Sequence, residues 1–205
     1  MRMHSLFAAA GLALTTLAPS TASAQVALGT VDGTDLPPIA IDRVTVGSVA
    51  PDFTLAVYRG DAFSLSSLRR EKNVVLVFYR GWWCPYCITQ LTAMRDLLDE
   101  ELRADTELVV VSIDGDEENG RTFARIARDD GREPDYTFLS DPESAVIGRY
   151  GVLNPDGGRR GAIPHPAVFV IDKEGVVRWR DIQTDYTIRP SNEAIRTAVR
   201  ALPGG

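Results

Sequence analysis

Cysteine occurs only twice in these 205 residues, at Cys84 and Cys87, inside the stretch RGWWCPYC at 80–87. Two thiols three positions apart allow three chemistries: a metal clip, a structural staple, or a pair that trades electrons. Zinc takes about four ligands. With no other cysteine, and His4 and His165 the only histidines, a zinc site would have to draw on carboxylates. A non-enzymatic metal carrier built from Cys84, Cys87 and His165 is the form this reading takes, and it ranks last. A staple gains its value by closing a long loop, and this one closes almost none. The redox pair is therefore the leading reading, with no resident metal and no cofactor.

The flanking residues show how such a pair is positioned. Asn73 to Tyr79 (NVVLVFY) is a nearly unbroken β-branched and aromatic run, the pattern of a strand buried on both faces. Pro85 suits the first turn of a helix, which places the helix start at the pair. Positions i and i+3 share a helix face, within the roughly 4.4–6.8 Å Cα separation that a disulfide needs. A helix N-terminus favours negative charge and so lowers the pKa of the first thiol. Cys84 is read as the nucleophile and Cys87, one turn deeper, as the resolving thiol. Arg80 either adds positive charge nearby or is an ordinary surface or ion-paired arginine. Trp82 and Trp83 either shield the thiols and form a contact surface or simply pack.

Beyond the pair, Ile88, Leu91, Met94, Leu98 and Leu102 recur at helical spacing, with Gln90, Arg95, Asp99 and Arg103 largely on the opposite face. Asp52–Leu55 and Ala62–Leu65 read as short strands around an Arg-Gly-Asp turn. Glu107–Ile113 is a second buried strand, Asp116–Asp129 a helix with an acidic first turn, and Tyr136–Ser140 a third strand before a helix over Asp141–Tyr150. Residues 154–161 read as a loop. Ala167–Ile171 and Val176–Arg180 form a hairpin, and Ser191 caps a last helix to Leu202. The order β-β-β-α-β-α-β-α-β-β-α predicts an α/β fold: a mixed sheet with helices on both faces and an N-terminal β-hairpin extension.

The beginning of the chain reads differently. A polar start, the apolar run Leu6–Ala18 and the small-x-small triplet Ala22-Ser23-Ala24 have the form of a secretory leader over residues 1–24. The apolar run is too short to span a bilayer. It has no twin-arginine before it and no cysteine after it, which points to the general secretory route without lipidation. Residues 25–45, rich in Gly, Pro, Thr and Asp, read as a flexible arm, and 46–203 as one domain. The expectation is an exported protein, periplasmic or secreted, with no membrane span once the leader is removed. A formal charge of −6 without a basic stripe argues against nucleic acid as a partner.

Three segments, APDFTL at 50–55, VVLVFYRGWWCPYC at 74–87 and HPAVFVIDKEGVVRW at 165–179, resemble the alkyl hydroperoxide reductase/thiol-specific antioxidant (AhpC/TSA) family. Its members are thioredoxin-fold redoxins, and Cys-x-x-Cys at a strand-to-helix junction is similar to thioredoxin and glutaredoxin sites. The resemblance spans about residues 46–203. It implies that Pro166 is the cis-proline beside the cysteines, with His165 next to the thiols; an incidental, partly exposed histidine is the plainer reading of His165. Pro166, His165, Trp83 and Arg80 are thus the candidate substrate-binding or tuning residues.

The chain departs from the Pro-x-x-x-Thr-x-x-Cys motif of peroxiredoxins. Counted back from Cys84, the proline and threonine positions hold Val77 and Gly81; from Cys87 they hold Arg80 and Cys84. The place of the family's distant arginine, three residues before Phe169, holds Pro166. These departures favour an exported thiol–disulfide oxidoreductase acting on a protein or small-molecule disulfide, with an unspecified thiol as electron donor or acceptor. A thiol-dependent peroxidase using the same two cysteines, with peroxide as substrate, is the alternative.

Overall fold

A computed structural model describes residues 40–203 together with Met1. The expected leader over 1–24 and most of the arm over 25–45 lie outside the described residues. Fourteen elements follow in order: β1 (Thr54–Val57), β2 (Ala62–Ser64), β3 (Asn73–Phe78), α1 (Pro85–Met94), α2 (Glu100–Asp105), β4 (Thr106–Ser112), α3 (Asp116–Ile126), β5 (Thr137–Ser140), α4 (Ala145–Arg149), β6 (Leu153–Asn154), β7 (Ile163–Pro164), β8 (Ala167–Ile171), β9 (Val177–Ile182) and α5 (Asn192–Arg200). Seven strands form one mixed sheet in the order β2-β1-β5-β4-β3-β8-β9. β3, β4 and β5 run parallel; β8, β9 and the β1–β2 hairpin pair antiparallel.

The middle of the sheet is apolar because both of its faces are covered. Every residue of β3 is buried, and alternation sends its side chains to opposite sides. Val75, Val77 and Tyr79 join Leu91 and Met94 of α1, Ile126 of α3 and Ile195 and Val199 of α5. Val74, Leu76 and Phe78 join Val146 and Ile147 of α4 and Leu65 from the short 3-10 turn after β2. The second face is tied together by aromatic rings: Tyr150 stands between Phe78 and Phe169, with centroids 5.1 and 5.3 Å away. This is the mixed sheet, flanked on both faces and extended by a hairpin, that the element order implied.

Three expectations are corrected. The helix after the cysteines stops at Met94 instead of running to Leu102. From Arg95 to Leu97 the amides turn back to carbonyls three residues earlier, which tightens and ends α1, and Asp99 starts a separate α2 by accepting the Leu102 N–H at 2.9 Å. Gln90 and Arg95, placed by periodicity on the outer face, are both only 8% exposed. Each is buried with a long-range partner: Arg95 donates to Asp130 and to the Arg132 carbonyl, and Gln90 accepts from Arg189. The segment read as a loop over 154–161 is one, apart from Asn154 and a 3-10 turn at Gly158–Arg160, and it is closed at its base by a small antiparallel pair, Leu153 opposite Pro164 and Asn154 opposite Ile163. Finally, no peptide bond among the described residues is cis, so Pro166 is trans. Its carbonyl accepts the Gln183 N–H at 2.9 Å and simply continues the β8–β9 ladder. A trans bond, favoured by about 0.5–1 kcal/mol, serves that role.

Candidate active site

β3 delivers the chain to the site and Gly81 turns it. Gly81 has φ +141°, and a Cβ there would sit 2.8 Å from Trp83 Nε1 and 3.0 Å from Asp114 Oδ1. Only glycine fits this bend without displacing its neighbours. Trp82, next in the chain, is held at both ends: its N–H donates to Asp114 Oδ2 at 2.7 Å, and its carbonyl accepts from the Arg125 guanidinium. Cys84 then takes the N-cap position in extended geometry, and Pro85 is the first residue of α1.

The structure joins Cys84 and Cys87 in a disulfide, with their Cα atoms 5.3 Å apart. The Cys84 sulfur also accepts the Cys87 N–H at 3.3 Å, so an orphan amide of the helix start points at it. Negative charge on that sulfur is favoured by the same groups that cap the helix. Both cysteines are fully buried in the closed pair.

The other sequence-derived residues gather around this point in unequal ways. The Arg80 guanidinium stacks on aromatic rings, 5.0 Å from the centre of Trp83 and 4.2 Å from that of Tyr186. Trp83 is packed against the cluster that contains both cysteines, while Arg160 lies over it at 5.0 Å. Arg121 and Arg160 also lie over Trp82, at 4.8 and 5.8 Å. In the antiparallel register Ala167 faces Phe78, which carries Pro166 and His165 alongside Tyr79 and Arg80. His165 is 6% exposed, not the partly exposed residue of the plainer reading, and its Nε2 has no protein hydrogen-bond partner. Burial, and then the positive charge of Arg80, hold its imidazole below the ordinary range, which keeps the ring neutral at pH 7. Among the described residues no three of His, Cys, Asp and Glu converge as a metal site. No helix among them is long and apolar enough to cross a membrane.

Two site residues were missed by sequence reasoning. Asp114 follows β4, and burial pushes its carboxyl up to about 6, against hydrogen bonds from Trp82 and Ser112 that favour its charge. A signal for it existed, because the carboxyl ends of parallel strands are where open α/β sheets place their sites. Arg189, between β9 and α5, donates from Nη2 to the Cys87 sulfur at 3.3 Å across 102 residues of chain. Nothing in its local sequence marks it.

With this geometry in view, comparison with known proteins decides the family. The AhpC/TSA family model matches residues 46–180. The chain belongs to the AhpC/TSA family. It is 32% identical over 159 residues to a chloroplastic 2-cysteine peroxiredoxin of Chattonella marina var. antiqua, covering 75% of this chain and 78% of that one. It is 31% identical over 150 residues to alkyl hydroperoxide reductase E of Mycobacterium tuberculosis, covering 71% and 90%. Among solved structures, peroxidoxin BcpB of M. tuberculosis superposes with a TM-score of 0.62 at 26% identity, covering 78% of this chain and 98% of that one. This AhpC/TSA member has the thioredoxin-type fold of peroxiredoxins and is a redox enzyme. Its Gly81 bears on one departure from the peroxiredoxin motif: at a positive φ, with Trp83 Nε1 against the missing Cβ, a threonine at that position would be strained and would displace its neighbours.

Proposed function

We propose that this protein is a thiol-dependent peroxidase whose catalytic cycle closes and reopens the Cys84–Cys87 disulfide. The Cys84 thiolate attacks a peroxide oxygen; the O–O bond breaks, an alcohol or water leaves, and Cys84 becomes a sulfenic acid. The Cys87 thiolate then attacks the Cys84 sulfur and expels hydroxide, which takes up a proton to become water. Two equivalents of an external thiol reduce the disulfide and restore both thiols. The observation that carries this reading is the placement of Cys84 at the N-cap of α1 with Cys87 already in bonding position, in a chain of the AhpC/TSA family. Here resolution needs no local unfolding.

One observation favours a second reading, plain thiol–disulfide exchange. The threonine and arginine positions of the peroxiredoxin motif hold Gly81 and Pro166, so the usual peroxide-polarising groups are missing from those places. One experiment separates the two. Reduced protein is mixed with hydrogen peroxide, and separately with a protein disulfide, in a stopped-flow instrument. A peroxide rate far above that of a free thiol at equal thiolate fraction supports the peroxidase. A rate no higher than the free thiol, with fast protein-disulfide reduction, overturns it.

The substrates are a small hydroperoxide, in keeping with the burial of both sulfurs, and an anionic thiol, in keeping with the guanidiniums of Arg80 and Arg160 on Trp83. The leader-like pattern of residues 1–24 supports an exported protein working in the periplasm or outside the cell. N-terminal sequencing of the mature protein tests this: a start at Gln25 is the expected result, and an intact Met1 on cell-associated protein would overturn it.

A further inference from the structure

The Cys87 sulfur has a cationic neighbour that the reaction just described does not use. Arg189 is not a loose surface side chain. Its Nε donates to Gln90 Oε1 at 2.9 Å, and its Nη1 donates to the carbonyls of Tyr186 and Ile188, both at 2.6 Å. These three bonds hold the guanidinium plane in one orientation, leaving Nη2 on Cys87 at 3.3 Å. Among the described residues it forms no ion pair. Burial, and then repulsion by Arg80, push the pKa of the guanidinium down to about 10, while Asp181 and Asp185 favour its charge. It remains a full cation at neutral pH, desolvated and directed at a sulfur.

Cys87 needs such a neighbour. It lies inside the first turn of α1, where its own N–H is committed to Cys84, and it is fully buried. Burial by itself raises a thiol's pKa and makes it a poor nucleophile and a poor leaving group. Of the other residues of α1, only Tyr86 is ionisable. Other titratable groups in this region are Tyr79, which shares the buried cluster with both cysteines, Arg80, the neutral His165, Asp114 on the Trp82 amide, Tyr186 against Tyr86, and Asp181 and Asp185, which act on Arg189.

We propose that Arg189 is a catalytic residue that holds Cys87 as a thiolate, making it the attacking group when the disulfide closes and the leaving group when it opens. On opening, the thiolate of a reductant bonds to the Cys84 sulfur. The Cys84–Cys87 bond breaks, and its electron pair stays on Cys87 against the guanidinium. A second reductant thiolate attacks the mixed disulfide, releasing the oxidised reductant and the Cys84 thiolate. Two thiols thus supply the two electrons, and the reductant is directed to Cys84. The inference rests on this pair being the redox centre proposed above, but not on the oxidant being a peroxide.

The test is a thiolate titration of Cys87 by ultraviolet absorbance in Cys84→Ser protein, alone and combined with Arg189→Met or Arg189→Lys. Arg189→Met is expected to raise the Cys87 pKa by about 1–3 units, and Arg189→Lys to restore most of the shift. In otherwise wild-type protein, Arg189→Met should move the equilibrium with a small-thiol redox buffer toward the disulfide, by about 30 mV for each tenfold change. Trapped mixed disulfide should sit on Cys84 in wild type and on both cysteines in the variant. Near-ultraviolet circular dichroism checks that the variants are folded. An unchanged Cys87 pKa in folded Arg189→Met protein overturns the proposal, as does a Lys variant no better than Met. A slow reaction with peroxide alongside the expected titration would remove the peroxidase reading and leave Arg189 in place.

Discussion

Cys84 and Cys87 share one bond and one turn of helix, yet their surroundings are built in opposite ways. What favours charge on Cys84 is local: it caps α1, whose first residue is Pro85, and its sulfur accepts the amide of Cys87. What favours charge on Cys87 arrives from Arg189 and is braced by Gln90, so it exists only when the last loop has docked against α1. The first thiol is activated by local backbone, the second by tertiary structure.

The most severe way to break this comparison is to remove either sulfur. Cys84→Ser should abolish turnover, a loss of at least about a thousandfold, whereas Cys87→Ser should still consume one equivalent of peroxide and stop at the sulfenic acid. Dimedone labelling with mass spectrometry reads the difference; labelled Cys84 in the second variant and none in the first is the expected pattern.

A milder attack falls on the local side alone. Gly81→Thr restores a residue of the peroxiredoxin motif, but it puts a Cβ against Trp83 and Asp114 at positive φ. It should cost about 1–3 kcal/mol of stability in urea unfolding and slow the reaction with peroxide. A faster reaction would mean that the bend is not what positions Cys84.

Asp114 sharpens the picture through pH. Its carboxyl titrates near 6 when folded and near 3.8 ordinarily. The folded state therefore holds this proton more tightly than the unfolded chain does. Stability should fall as pH rises from about 4 to about 6, by on the order of 2–3 kcal/mol, and then level off. Asp114→Asn, which can still accept the Trp82 N–H, should flatten that slope in denaturation curves taken across the window.

The smallest effect belongs to the arginines on the tryptophans. Arg160→Ala should lower the rate of disulfide reduction by an anionic thiol about two- to fivefold at low salt and leave a neutral thiol unaffected, with the difference vanishing as ionic strength rises. Equal losses for both thiols would assign Arg160 to packing.

Much of this molecule was legible before any coordinates. β3 is apolar on both faces because α1, α3 and α5 cover one side and α4 the other, and such a run reads the same from sequence. Pro85 marked the start of α1 because proline is tolerated there and nowhere deeper. The end of that helix was not legible. The apolar spacing continues unbroken through Leu98 and Leu102, whereas the backbone leaves the helix at Arg95–Leu97 through bonds to carbonyls three residues earlier and restarts at the Asp99 cap. Gln90 and Arg95 misled for a related reason: periodicity assigns polar residues to solvent, whereas these two are buried by partners that come from other elements.

Taken alone, the amino-acid order determined where the thiols stand, which of them caps the helix, and that the two can bond. These are matters of spacing and backbone dipoles within a few residues, and they survive any arrangement of the rest. Tertiary structure decided that His165 is buried and neutral, that Asp114 holds a proton unusually tightly, and that Arg189 meets Cys87. Each depends on desolvation or on a charge brought from a distant segment, and neither quantity exists until the chain has closed around the pair.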